Sequence, residues 1–151
     1  MTIWRPKQAI CVKAIGLPFR RGCVFAAEIT DDIGRIKGVR PLGGHVEFGE
    51  HWADTITREF REELDIDVRV ETTPLVFENI YTHEGQMGHE YVYAARVSLH
   101  DGDLMEETVT FAEDNGLSVT ARWSDLQTLD TPRGYPLFPR GLGAQLAKIN
   151  P

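Results

Sequence analysis

Cysteine is scarce. Cys11 and Cys23 are the only two, and neither belongs to a C-x-x-C pair. Their scarcity excludes a zinc ribbon and a disulfide-built scaffold. Both stand in apolar, strand-like segments, where a small buried hydrophobe in a reducing cytoplasm is the plain reading. A disulfide between them requires those two strands to pair. No apolar run approaches the ~20 residues of a membrane span. The opening residues MTIWRPKQAI lack the charged-then-apolar order of a secretory leader. Basic residues do not gather into a stripe, and the formal net charge is −7. A duplex-binding protein needs such a stripe. The expectation is therefore a cytoplasmic protein with neither a membrane nor a nucleic-acid polymer as partner. The charge does not exclude a phosphate substrate, because bound cations can stand between two anions. Internal repeats, low-complexity tracts and linkers are also missing, and no His-plus-acid zinc spacing occurs.

What is present fits one domain over residues 1–151, with 42% hydrophobic and 26% charged residues. AICVKAIGL (9–17) and CVFAAEI (23–29) predict strands, and DDIGRIKG (31–38) a turn-rich connection. Residues 52–64 predict a helix, with Ala53, Ile56, Phe60 and Leu64 within one arc. One or two strands are expected over 67–83, interrupted at Pro74. A hairpin loop follows at EGQMG (84–88), then a strand over 89–99. The acidic stretch 100–116 predicts an irregular, mobile loop. A strand over 117–123 and a helix over 142–149 complete the chain. Strands outnumber helices without βαβα alternation, so the fold class expected is α+β.

The densest chemistry lies in LGGHVEFGEHWADTITREFREELDI (42–66). On a helix, Glu59, Glu62 and Glu63 stand at i, i+3 and i+4 and share a face. A solvated face is the ordinary meaning of such a cluster. Two features weigh against it here. Like charges at these spacings repel, so the helix gains nothing from them. The helix also follows a loop whose glycines, Gly43, Gly44 and Gly49, let backbone turn tightly and approach a ligand. Carbonyls and carboxylates are hard oxygen donors, suited to Mg²⁺ or Mn²⁺ beside substrate phosphates.

This stretch resembles the signature of the Nudix hydrolase family, the MutT-like pyrophosphohydrolases, written G-x5-E-x7-R-E-U-x-E-E-x-G-U with U apolar. Gly44 opens it, and Glu50, Arg58, Glu59, Phe60, Glu62, Glu63 and Ile66 fill its slots. Asp65 stands where the family has the glycine that ends the helix in a left-handed conformation. Leu42 stands where proline usually precedes the two glycines, with Pro41 one place earlier. ARWSDL (121–126) and YPLFPRGL (135–142) look like the family's usual ending before its last helix.

The resemblance implies an α/β/α sandwich with a mixed sheet between helices. It implies hydrolysis of a pyrophosphate bond in a nucleoside diphosphate linked to another moiety, by water attack at phosphorus. Mg²⁺, with Mn²⁺ as substitute, is the implied cofactor, held by Glu59, Glu62, Glu63 and the Gly44 carbonyl. Glu59, Arg58 and Glu50 are the implied catalytic residues, the latter two orienting the cluster. The general base is either Glu59 or an acid on a distant loop, with Glu106, Glu107 and Glu113 as candidates. His83 and His89 are expected on the substrate rim or surface. Trp123, Tyr81, Tyr91 and Tyr93 could stack a base, although strand aromatics are more often core. The partner is a small-molecule nucleotide, and the oligomeric state is left open, a homodimer included. The same fold also hosts nucleotide-sensing domains, which typically lose signature acids, and isoprenoid diphosphate isomerases, which need a catalytic cysteine.

Overall fold

The computed structural model describes residues 3–71 and 73–149 of the chain. Two five-stranded sheets and two helices make up the fold, in the α+β class. The first sheet contains β1 (Ile10–Leu17), β5 (Gly43–His45), β6 (Arg69–Val70), β7 (Leu75–His83) and β8 (Gln86–Ser98). β1 and β8 run parallel, while β5, β6 and β7 pair antiparallel to their neighbours. The second sheet contains β2 (Phe19–Arg20), β3 (Cys23–Thr30), β4 (Ile36–Pro41), β9 (Thr108–Ala112) and β10 (Ser118–Asp125), all antiparallel. The helices are α1 (Trp52–Leu64) and α2 (Leu142–Ile149).

Two apolar cores lie on opposite faces of the strands. Ala14, Phe25, Ala95 and Val97 pack with Ile56 and Phe60 of α1. Ile15, Leu17, Val24 and Ala26 pack with Leu142 and Leu146 of α2. The period-2 alternation of β1 and β3 thus feeds both cores, and both strands are buried on two sides. Gly16 allows α1 to lie close against β1. A Cβ there would stand 2.7 Å from the Phe60 ring and 2.9 Å from the Ile56 side chain.

The chain passes from one sheet to the other at Leu42, between β4 and β5. Leu42 is buried, and its carbonyl accepts the Gly16 N–H at 2.8 Å. This crossing sends β5 and the following loop toward the start of α1, so the carboxylate stretch sits where the two sheets meet.

Several expected elements change on folding. The segment 100–116 is not wholly irregular, because Thr108–Ala112 pairs with β10 as β9. The hairpin after His83 is tighter than the expected five-residue loop. Glu84 and Gly85, at φ 48° and 81°, make the whole turn, and Gln86 to Gly88 already belong to β8. Cys11 and Cys23 lie in different sheets and are free thiols, so their strands do not pair. No described helix is long and apolar enough to cross a membrane.

Candidate active site

Arg58 is the pivot of the loop–helix junction. Its Nε donates to Glu50 Oε2 at 2.8 Å and its Nη2 to Glu50 Oε1 at 3.0 Å. Nη2 also reaches the His45 carbonyl at 3.1 Å, and Nη1 reaches Glu59 Oε1 at 3.0 Å and Glu62 Oε2 at 3.3 Å. One guanidinium therefore fixes β5, the loop and the helix together. Glu50 accepts further from the Thr55 hydroxyl at 2.6 Å and the Glu47 N–H at 3.2 Å. These donors, Arg58 first, pull its carboxyl down to about 2. Buried Thr55 is a member of the cluster that sequence reasoning missed. Its position, five residues after Glu50 and on the inner face of the predicted helix, was the available signal.

The three helix acids part ways. Glu59 and Glu63 turn inward, and their carboxyl groups lie close enough to shift one another's titration. Burial, then Glu59 and Glu113, push Glu63 up to about 9. Burial also raises Glu59, against the pull of Arg58. Glu62 points outward, 45% exposed, toward Arg58. The shared face expected for all three thus holds two acids, with the third at its rim. Among the described residues, no three His, Cys, Asp or Glu side chains already form a ligating group.

Gly44 lies under this pair. A Cβ on it would strike the Glu59 carboxylate. The glycine is there because the helix acid must come down onto the strand backbone. At the other end of α1, Asp65 takes φ 54° and ψ 39°, and its N–H returns to the Arg61 carbonyl at 3.1 Å. The residue that departs from the signature still closes the helix in the left-handed conformation, which Asp tolerates. Its side chain also pairs loosely with Arg61, at 3.4 Å.

The acids of 106–113 do not act as one group. Glu113 follows β9 at the end where its charge reaches Glu63. Glu106 and Glu107 precede β9, at the far end of a five-residue strand, and ~17 Å of strand separates the two ends. Of the aromatics, Trp123 packs on Phe25 and under Arg20, and Tyr93 stacks on Trp52 at 5.8 Å. The Tyr91 hydroxyl donates to Glu78 at 2.8 Å. Tyr81 and His89 instead line a cavity of about 260 Å³ beside β5, together with Lys13, His45 and Glu90. His83 sits against the Trp4 ring at 5.3 Å and against Lys37 Nζ at 3.3 Å. Arg40 on β4 was also missed by sequence reasoning. Its charge is felt by Glu63 on one side and by Glu90 and Tyr81 on the other. Nothing in its local sequence marks it.

The profile of the NUDIX domain matches residues 24–141. No curated protein matches the chain. Among solved structures, the Escherichia coli ORF135 protein aligns at TM-score 0.57 and 19% identity, over 94% of each chain. An ADP-ribose pyrophosphatase from Streptococcus suis aligns at 0.52 and 16%, over 91% of this chain and 87% of its own. A NUDIX hydrolase from Nitrosomonas europaea aligns at 0.51 and 20%, over 79% of this chain and 74% of its own. At such identities the likeness is one of fold.

Proposed function

The chain belongs to the Nudix family, and on that premise we propose that it hydrolyses a pyrophosphate bond in a nucleoside diphosphate linked to a further group, with Mg²⁺ or Mn²⁺ as cofactor. The further group is a nucleotide, a sugar or a second nucleoside. The observation that carries this reading is the Glu59–Glu63 pair. Two half-buried carboxyls on neighbouring positions of one helix face, each shifting the other's titration and with Glu113 adding charge, concentrate negative potential at one place. A divalent cation satisfies both acids at once, and all the donors are hard oxygens. Glu59 and Glu63 would hold it with the Gly44 carbonyl, and Glu62 would be the further carboxylate available to it. Bound there, the cation offsets the charge of the phosphates and of the leaving oxygen.

The chain's own residues do the rest. Glu50 and Arg58 are positioning residues. Their bidentate pair fixes Glu59 against Gly44 and keeps the loop closed on the helix. The base that takes a proton from the attacking water is an acid of this cluster, Glu59 or, at the end of β9, Glu113. The two free thiols suit a reducing compartment, and we place the protein in the cytoplasm. We treat residues 1–151 as one domain, since both sheets contribute to both cores.

The test is a panel of nucleoside triphosphates, nucleotide sugars and dinucleotides, read by chromatography of the nucleotide products. Hydrolysis of at least one class with Mg²⁺, abolished by chelator and restored by Mg²⁺ or Mn²⁺, is expected. Full activity in excess chelator, or none across the panel, overturns the reading.

A further inference from the structure

The cavity beside β5 opens on the face of the first sheet that points away from α1. Along β1, Ala14 and Gly16 face α1, while Lys13 and Ile15 face the other way. On that second face the apolar core ends at Ile15 and Val92, and charge begins at Lys13 and Glu90. Both are almost fully buried, at 5% and 3% exposure, with Lys13 Nζ 2.9 Å from Glu90 Oε2. Glu90 Oε1 accepts from Asn79 Nδ2 at 3.0 Å. A buried pair of this kind adds little stability, because apolar residues of similar volume serve as well or better. Its hydrogen bonding is also incomplete. Glu90 Oε2 has no well-aligned hydrogen bond. Two aromatic side chains, Trp4 and Tyr81, border it, with Arg5 and Lys7 adding positive charge. Tyr81 lies over Gly88, where a Cβ would strike its ring. Trp4 stands at the mouth, its ring 5.7 Å from Lys13 Nζ. Arg5 ties that segment to Asp32 at 2.9 Å.

We propose that this cavity holds the heterocyclic base of the substrate nucleotide, with Lys13 donating to a ring or carbonyl acceptor, Glu90 accepting from the adjacent N–H, and Trp4 covering the ring. This rests on the reading of the chain as a nucleotide pyrophosphohydrolase and names the part of the substrate that sets its specificity. Size supports it. About 260 Å³ falls below the ~300–1,000 Å³ of pockets that take whole drug-sized ligands, so it suits one ring system with ribose and phosphates outside. Chemistry supports it as well. A donor beside an acceptor, with Trp4 and Tyr81 alongside, matches the paired acceptor and donor on a base edge, and ribose has no such flat edge. Placement gives the third support. Lys13 lies opposite His45 in register, one residue from Gly44. Arg40 is felt by Glu63 on one side and by Glu90 on the other. A nucleotide reaching from the cavity to the carboxylates passes a cation on the stretch where its phosphates lie. Asn115, two residues after Glu113, also borders the cavity.

The experiment measures binding without catalysis. AMP, GMP, CMP, UMP and ribose 5-phosphate are titrated calorimetrically into the full chain in chelator. At least one nucleoside monophosphate should bind about tenfold or more tighter than ribose 5-phosphate. Lys13→Met and Glu90→Gln should each lose about tenfold or more for that nucleotide, the scale of a buried charged group left unpaired. Their affinity for ribose 5-phosphate should change little. Trp4→Ala, at a partly exposed position, should lose about fivefold or more through stacking. The double variant Lys13→Met/Glu90→Leu replaces the pair by apolar groups and keeps the fold if a single variant does not. It too should bind all four nucleotides no better than ribose 5-phosphate. Equal wild-type affinity for all five ligands overturns the proposal, as does unchanged nucleotide binding in both Trp4→Ala and the double variant. Selective binding by a wild type that hydrolyses nothing in the panel supports the pocket and removes the reaction. Hydrolysis with Mg²⁺ by a protein that binds the five ligands equally removes the pocket alone.

Discussion

Glu63 carries the conflict between folding and chemistry. In the fold its carboxyl is pushed from an ordinary 4.5 up to about 9, so the folded chain keeps a proton that the unfolded chain releases. Glu63's contribution to metal-free stability is therefore full below about pH 4.5 and declines as pH rises toward 9. Glu63→Gln has no proton to lose there, and its amide can donate to Glu59. The variant without metal should melt at or above the wild-type temperature at neutral pH, with a flatter pH profile from 5 to 9. Mg²⁺ should raise the wild-type melting temperature more, because a ligand of the folded state stabilises it by mass action. Activity should fall by about 100-fold or more, the scale of losing a key electrostatic stabiliser. Wild-type turnover together with equal Mg²⁺ stabilisation would return Glu63 to an ordinary surface acid.

At the scale of the element, β5 explains why two glycines stand together. A Cβ on Gly43 would strike the Ala14 carbonyl and come within 2.7 Å of Ile15 Cα, atoms of backbone that cannot move aside. A Cβ on Gly44 would meet the Glu59 carboxylate, the end of a side chain that can swing. Gly43→Ala should therefore cost about 1–3 kcal/mol in denaturant melts, as overpacking does. Gly44→Ala should cost less and remove most of the activity and the Mg²⁺ response. If Gly44→Ala proves the more destabilised and remains active, the division of labour is wrong. β9 makes a similar separation among the loop acids. Glu113→Gln should lower kcat by about 100-fold or more, the ordinary range of a proton-transfer group. Glu106→Gln and Glu107→Gln should stay near wild type, because the strand holds them at its other end. Equal effects from all three would mean that the segment acts through its charge alone.

Over the whole molecule, the two cysteines report on the arrangement of the sheets. Cys11 belongs to β1 in the first sheet and Cys23 to β3 in the second. The native protein should therefore titrate two thiols, and its melting temperature should be the same with and without reductant. A single disulfide-linked species would contradict the pairing of the strands. The local signals that marked β1, β3, α1 and α2 were legible because period and turn chemistry act over a few residues. α1 begins and ends where its apolar arc places it, and Asp65 closes it in the conformation that its short polar side chain tolerates. β9 was hidden because its five residues gain their order from pairing with β10, across the acidic turn that separates the two strands.

The sequence by itself determined the α+β class, the helix that bears the acids, and the spacing that brings Gly44, Glu50, Arg58 and Glu59 into one cluster. These are contacts within 16 residues, and helix geometry transmits them directly. Tertiary structure alone decided which acids face inward, since burial against β5 drives Glu59 and Glu63 together and leaves Glu62 to solvent. It alone brought Glu113 toward Glu63, put the Arg40 charge within reach of both Glu63 and Glu90, and buried Lys13 beside Glu90. Those groups are up to 77 positions apart in the chain, and the physical reason is strand pairing. Register across β1, β5 and β8 fixes which side chains share a face, and local sequence carries no record of the partner strand.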